Sequence, residues 1–239
     1  MSNTITFKID GVEVEAEKGQ TIMQAADAAG IYIPRLCAHS ELSPFGSCRV
    51  CTIKVDGRPQ TACTYPVAEG IDVENETEEL RKIRCDIVEM LFVEGNHYCP
   101  YCEKSGNCEL QALGYRLGML APKYPYMFPA DRNIDFSHDD IYIDHNRCVL
   151  CARCVRASKT QDGKNVFQFV GRGADKRVSV NAECLAETDA DVTDKAMEAC
   201  PVGALMRKRV GYAKPVGQRA YDTAPIGSEI ENQANATQS

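Results

Sequence analysis

Tryptophan is absent from the 239 residues, and histidine occurs only four times. No apolar run approaches the roughly 20 residues needed to cross a bilayer, so any membrane link has to come through partners. The first residues, Met1-Ser2-Asn3-Thr4, lack a charged stretch followed by an apolar one, and no secretory leader is expected. A glycine-rich dinucleotide fingerprint, a phosphate-binding P-loop and a credible catalytic triad are missing as well. Excess positive charge is also lacking. The formal net charge is −7, which argues against nucleic acid as a main target. The charge is uneven: −7 over residues 1–79, −2 over 80–140 and +2 over 141–239. It serves solubility first; a sharper reading is that the two ends dock on different surfaces.

Cysteine is what the chain has in excess: 13 residues, an odd number, many in Cys-x2-Cys pairs. With no leader, a reducing cytoplasm is expected, where such pairs bind metal or catalyse rather than form disulfides. The densest stretch is His97-Tyr98-Cys99-Pro100-Tyr101-Cys102-Glu103-Lys104-Ser105-Gly106-Asn107-Cys108. Cys37, Cys48, Cys51 and Cys63 precede it, and Cys148, Cys151, Cys154 and Cys200 follow. Three groups of soft-metal ligands predict three metal centres, each with its own small fold. The expected architecture is α+β, divided into 1–79, 80–138 and 139–210, with an extended or disordered tail over 211–239. That tail is polar and rich in Gly, Ala, Asn and Gln, too poor in apolar residues for a core.

In the first segment Thr4 to Ile9 alternates as a strand does. Asp10-Gly11 signals a hairpin turn, and Val12 to Ala16 is the returning strand. Thr21-Ile22-Met23-Gln24 reads as a capping box opening a short helix. Ile22, Ala25, Ala26 and Ala29 form its apolar stripe, and Gly30 closes it. Hairpin, helix and cysteine-bearing loop is the order of the β-grasp ferredoxins, which the segment resembles. Its cysteines run Cys37-x10-Cys48-x2-Cys51-x11-Cys63. Four thiolates suit a [2Fe–2S] cluster, although the gaps are not those of plant-type ferredoxins. Pro34-Arg35-Leu36-Cys37 and Gly46-Ser47-Cys48-Arg49-Val50-Cys51 resemble the N-terminal domain of the large iron–sulfur subunit of respiratory complex I and its hydrogenase relatives. The alternative from spacing is a four-cysteine zinc site. Cys37-Ala38-His39 is similar to half of a Rieske site, but the other half is missing, and His39 reads as a loop residue.

In the middle segment Leu80 to Val93 carries a helical stripe at Leu80, Ile83, Ile87, Met90 and Leu91, ended by Gly95. Cys85 within it fits no ligand spacing and is expected to be a small buried side chain. Glu109 to Leu117 reads as a second short helix. Two helices holding such a ligand loop resemble a [4Fe–4S] domain shared by complex I, [FeFe]-hydrogenases and NAD-linked hydrogenases. That resemblance implies one histidine and three cysteines as ligands: His97, Cys99, Cys102 and Cys108. Those families mostly leave three residues between the histidine and the first cysteine. Here that position is Gly95, and the alternative is that His97 only hydrogen-bonds the cluster. Gly106 is expected to let backbone pass close to the sulfides. Tyr124-Pro125-Tyr126-Met127-Phe128-Pro129 cannot be regular helix. It reads as a linker packed against the domains, or as a partner-binding strip. His138 and His145 read as surface or structural residues.

In the third segment a strand over Ile141 to Asp144 leads into Cys148-Val149-Leu150-Cys151-Ala152-Arg153-Cys154, the signature of a bacterial-type ferredoxin loop, with Cys200-Pro201 as its partner. Two-cluster ferredoxins place a further cysteine where this chain has Ser158. One [4Fe–4S] cluster from Cys148, Cys151, Cys154 and Cys200 is therefore expected. A hairpin of Val166 to Val170 with Arg177 to Val180 and a helix over 192–199 complete a ferredoxin-like unit. Cys184 is left without a ligand role.

The chain also lacks the paired Cys-x2-Cys motifs, one near each end, that would hold a nickel–iron centre. It therefore has redox centres without a substrate site, which means electron relay. All 239 residues resemble the small diaphorase subunit of the cytoplasmic NAD-reducing [NiFe]-hydrogenases. The most specific part is Glu94-Gly95-Asn96-His97-x-Cys99-Pro100-x-Cys102-Glu103-Lys104-Ser105-Gly106-Asn107-Cys108. The resemblance implies a partner diaphorase large subunit with FMN and NAD, and small and large [NiFe]-hydrogenase subunits. The runner-up is the equivalent subunit of an NAD-dependent formate dehydrogenase or a complex-I-like NADH dehydrogenase. A reading from another class is a non-redox zinc-binding scaffold.

Overall fold

The computed structural model describes residues 4–126 and 128–237; Met127 of the aromatic connector and the first three residues lie outside the described residues. Asp10 (φ 49°) and Gly11 (φ 80°) both take the left-handed conformation that a two-residue hairpin turn needs. They join β1 (Thr4–Ile9) to β2 (Val12–Glu17). Thr21 caps α1 (Ile22–Ala28) in a full capping box: its hydroxyl accepts from Gln24 N at 3.3 Å, and Gln24 Oε1 accepts from Thr21 N at 2.9 Å. β3 (Thr52–Val55), β4 (Arg58–Thr61) and β5 (Asp72–Glu74) complete a five-stranded sheet of order β2-β1-β5-β3-β4. Only β1 and β5 pair in parallel. Pro59, which cannot donate to a ladder, sits on the edge strand β4. Phe7, Ile9, Ile22, Ile53 and Val73 fill the core of this β-grasp unit.

α2 (Glu78–Val93) starts two residues before its apolar stripe because Thr77 caps it, accepting from Leu80 N at 3.2 Å. Glu78 and Glu79 complement the helix dipole in the first turn. The helix ends through Glu94 in the right-handed region, not through a left-handed Gly95. Cys85 is half-buried rather than buried, with Sγ 3.5 Å from Glu89 Oε1. α3 (Glu109–Arg116) packs on α2, and Leu80, Val88, Leu110 and Leu113 are buried there.

The third segment contributes β6 (Ile134–Asp135), β7 (Ile141–Asp144), α4 (Arg153–Thr160), the hairpin β8 (Phe167–Val170) with β9 (Arg177–Val180), α5 (Lys195–Ala199) and β10 (Leu205–Arg207). β10, β7 and β6 form an antiparallel sheet in that order. The helix expected over 192–199 begins only at Lys195. Just before it, Asp191 accepts from Thr193 N and Asp194 accepts from Asp191 N, both at 2.8 Å, which holds a turn instead.

The tail expected to be extended or disordered over 211–239 is corrected in part: 211–227 has neither helix nor strand, but it is docked and a helix follows it. Residues 211–232 lie across the middle segment and run into α6 (Ser228–Thr237). Too polar for a core of its own, this stretch lends Tyr221, Ile226 and Ile230 to an existing one. Tyr212 donates to Tyr101 O at 2.7 Å, Tyr221 N donates to Gly106 O at 3.0 Å, and Arg116 pairs with Glu231. That larger core is shared by the middle and third segments and takes in Leu36, Leu42 and Val50 from the first cysteine loop.

Candidate metal centres

The first set hangs on the loop between α1 and β3 and on the turn after β4. Arg49, between Cys48 and Cys51, is held at φ 63°, a left-handed conformation that folds the loop back on itself. Cys37 N donates to Cys48 Sγ at 3.4 Å. Hydrogen bonds from Cys48 and Cys63 hold the Cys37 thiol far below its usual range, and one from Cys63 lowers Cys51. Cys48 and Cys63, which supply those protons, are raised. Four thiols sharing protons with one another are a donor set that sheds them when metal binds. His39 stays out of the set; its Nδ1 accepts from Glu41 N at 3.3 Å.

His97, Cys99, Cys102 and Cys108 line one cavity between α2, α3 and the start of the third segment, together with Phe92, Arg147 and Gly203. Burial, then the Arg147 cation, pushes His97 down to about 4, so its imidazole is neutral at neutral pH, as a ligand must be. The Asp144 carboxylate pulls the other way. Phe92 stands edge-on to it, with centroids 5.5 Å apart. Gly95 has no room for a side chain: a Cβ there would lie 2.7 Å from Asn146 O and 2.8 Å from His97 Nε2. The shifted histidine therefore fills the space that position 95 would need. Burial raises the Cys99 thiol and pushes Cys108 up to about 12. Such thiols become thiolates once a cation stands beside them.

Gly106 (φ 77°) also meets the C-terminal stretch. Its missing Cβ makes way for the Arg219 guanidinium from the C-terminal stretch. Tyr126 of the aromatic connector donates to Asn96 Oδ1, so this part of the connector packs back beside His97.

Cys148, Cys151, Cys154 and Cys200 line a second cavity with Ile143, Val178, Val202, Ala204 and Leu205, an apolar cage. Burial pushes Cys148 up to about 11 and Cys151 up to about 12, and raises Cys154 further. Leu150 (φ 52°) and Ala152 (φ 61°) are the left-handed residues that curl this loop. Ser158, at the position of a missing cysteine, is buried and accepts from Val166 N at 2.8 Å. Cys184 precedes the turn at Leu185–Glu187 and lines neither cavity. Among the described residues no group of three or more His, Cys, Asp or Glu meets the spacing of a single metal ion; the cysteines of the second and third sets ring cavities instead.

The sequence reading overlooked Arg147 and Gly203. Each adjoins third-set chemistry, one residue before Cys148 and three after Cys200, yet both wall the middle cavity. A Cβ on Gly203 would stand 2.7 Å from Cys102 Sγ. A glycine shortly after a Cys-Pro pair was the available signal.

Three family models match along the chain: a 2Fe-2S iron-sulfur cluster binding domain over residues 2–78, an NADH-ubiquinone oxidoreductase-G iron-sulfur binding region over 84–122, and the ferredoxin-like domain of NADH-quinone oxidoreductase subunit 3 over 139–206. The gamma subunit of the NAD-reducing hydrogenase HoxS of Cupriavidus necator is 40% identical over 224 residues, covering 93% of this chain and 95% of that one. The alpha subunit of an NADPH-Fe(3+) oxidoreductase of Geobacter sulfurreducens is 36% identical, and the match spans 85% of this chain but 24% of that one. A mitochondrial NADH dehydrogenase iron-sulfur protein 1 of Solanum tuberosum is 31% identical over 95% of this chain and 31% of its own. A chain in a crystal structure of an NAD+-reducing [NiFe]-hydrogenase in the H2-reduced state superposes with a TM-score of 0.90 at 43% identity, covering 95% and 98% of the two chains.

Proposed function

The chain belongs to the family of the gamma subunits of NAD-reducing hydrogenases, and from that membership we propose how it works as the iron–sulfur electron-relay subunit of such an oxidoreductase. Cys37, Cys48, Cys51 and Cys63 hold a [2Fe–2S] cluster in residues 1–79. His97, Cys99, Cys102 and Cys108 hold a [4Fe–4S] cluster in 80–138, and Cys148, Cys151, Cys154 and Cys200 hold another in 139–210. Bound clusters supply one-electron stations whose potentials follow from type, charge and hydrogen bonding. The chain's own residues hold, space and insulate them. Neutral His97 in place of a thiolate leaves the middle site one charge less negative. Phe92 and the Val178–Val202 cage keep water from the ligands.

The observation that carries this reading is the lining of the two cavities: the four residues assigned to the middle set line one, and the four assigned to the third set line the other. The partners are an FMN- and NAD-binding diaphorase large subunit and the small and large subunits of a [NiFe]-hydrogenase, in the cytoplasm. Electrons pass between H2 and NAD+ across this chain, which carries no substrate site itself. No helix among the described residues is long and apolar enough to cross a membrane. The complex-I-like reading has weaker support, because the NADH dehydrogenase relative matches at lower identity and over 31% of its own length. Purifying the native complex through a tag on this chain and assaying H2-dependent NAD+ reduction tests the reading. Co-purification of hydrogenase subunits with that activity is expected; a complex that reduces NAD+ from formate and not from H2 would overturn it.

A further inference from the structure

Arg153 belongs to none of the three ligand sets, yet it touches the loops of all three. It lies between Cys151 and Cys154 and opens α4, with its side chain only 3% exposed. Nη1 and Nη2 donate to the two carboxylate oxygens of Glu109 at 2.6 and 2.7 Å, and Glu109 follows Cys108. Nη2 also donates to the Ala38 carbonyl at 2.8 Å, and Ala38 follows Cys37. The Glu109 N–H donates to the carbonyl of Pro201 at 2.9 Å, and Pro201 follows Cys200. Arg156, one turn further along α4, donates to the Cys37 carbonyl. Every partner in this knot is a ligand or its immediate neighbour in sequence.

A guanidinium this deeply buried stays charged only with its carboxylate beside it, and the two-pronged bond fixes direction as well as distance. Lysine could replace the charge but not the fork. Resting on the ligand assignment above, we propose that Arg153 is the positioning residue of the relay. One guanidinium ties the Cys37, Cys108 and Cys154 loops together and so fixes the spacing of the three centres. Its positive charge, balanced by Glu109 and seated in the chain between Cys151 and Cys154, sets the potential of the third centre.

The test uses the assembled complex carrying Arg153→Gln, Arg153→Lys or Glu109→Gln. The third-cluster midpoint potential should fall in Arg153→Gln, rise in Glu109→Gln and stay near that of the parent in Arg153→Lys. Spin–spin interaction between reduced clusters, read by EPR, should change in both Arg153 variants, because neither keeps the fork. H2-dependent NAD+ reduction should fall several-fold in both. A merely loosened fold cannot move the potential in opposite directions for the two halves of one ion pair. Potentials that do not move, or that move together, would overturn the proposal, as would unchanged spin coupling. Should Arg153→Gln lose iron, Arg153→Lys and Glu109→Gln decide by the same two readouts. Failure of the iron–sulfur reading shows itself separately, as missing iron in the parent complex.

Discussion

Gly203 walls the middle cavity where no side chain fits. A Cβ there would press on Cys102 Sγ at 2.7 Å, with Lys104 Cβ at 3.3 Å and Arg147 Cδ at 3.4 Å on the other sides. Overpacking of this kind costs about 1–3 kcal/mol, here directed at a ligand. Gly203→Ala is therefore expected to leave the middle site short of about four irons while the outer two remain, read by iron content and EPR. His97→Ala should have the same selective effect, because the outer sets are complete without it. His97→Cys would add a negative charge and lower the middle potential; an unchanged middle EPR signal in His97→Ala would mean that the ring only hydrogen-bonds the cluster. Cys85 and Cys184 line neither the middle nor the third cavity. Cys85→Ala and Cys184→Ser should keep full iron content, and loss of a cluster in either would break the grouping.

Elements with a local signal were legible in the sequence, and elements held only by tertiary partners were not. Asp10-Gly11 and the Thr21/Gln24 box announce the first hairpin and α1. Asp56 and Gly57, at φ 48° and 77°, form a second turn of the same kind between β3 and β4, equally readable from its Asp-Gly pair. α4 has no such announcement. Its sequence, Arg153 to Thr160, shows no apolar stripe, and it buries Arg153 and Ser158 only because Glu109, Ala38 and Val166 receive them. The C-terminal stretch is similar: one isoleucine and one tyrosine per dozen residues predict nothing until a core with room for them exists. Ile226 is 5% exposed in that core. Ile226→Ala should weaken docking by about 2–5 kcal/mol. Limited proteolysis should then cut within 211–232 faster than in the parent while iron content is retained. Equal cutting rates would show that the polar anchors at Tyr212, Arg116 and Glu231 suffice alone.

Over the whole molecule, cysteine spacing divided the proposed ligands into three sets, and the middle and third of these sets each line one cavity. The convergence of the three sites was not readable. It comes from one core shared by the middle and third segments, from Gly203 and Arg147 reaching into the neighbouring cavity, and from Arg153 and Arg156 reaching back to the first loop. The boundaries at 79, 138 and 210 separate ligand sets along the chain rather than independent packing units, since only the β-grasp unit has a core to itself. A relay needs this compactness, because electron transfer weakens steeply with distance between stations. The central claim, three iron–sulfur centres in one chain, is tested most directly by anaerobic iron, acid-labile sulfide and zinc analysis of the purified protein. About ten irons and about ten sulfides per chain are predicted from one [2Fe–2S] and two [4Fe–4S] sites; stoichiometric zinc with little sulfide would contradict it.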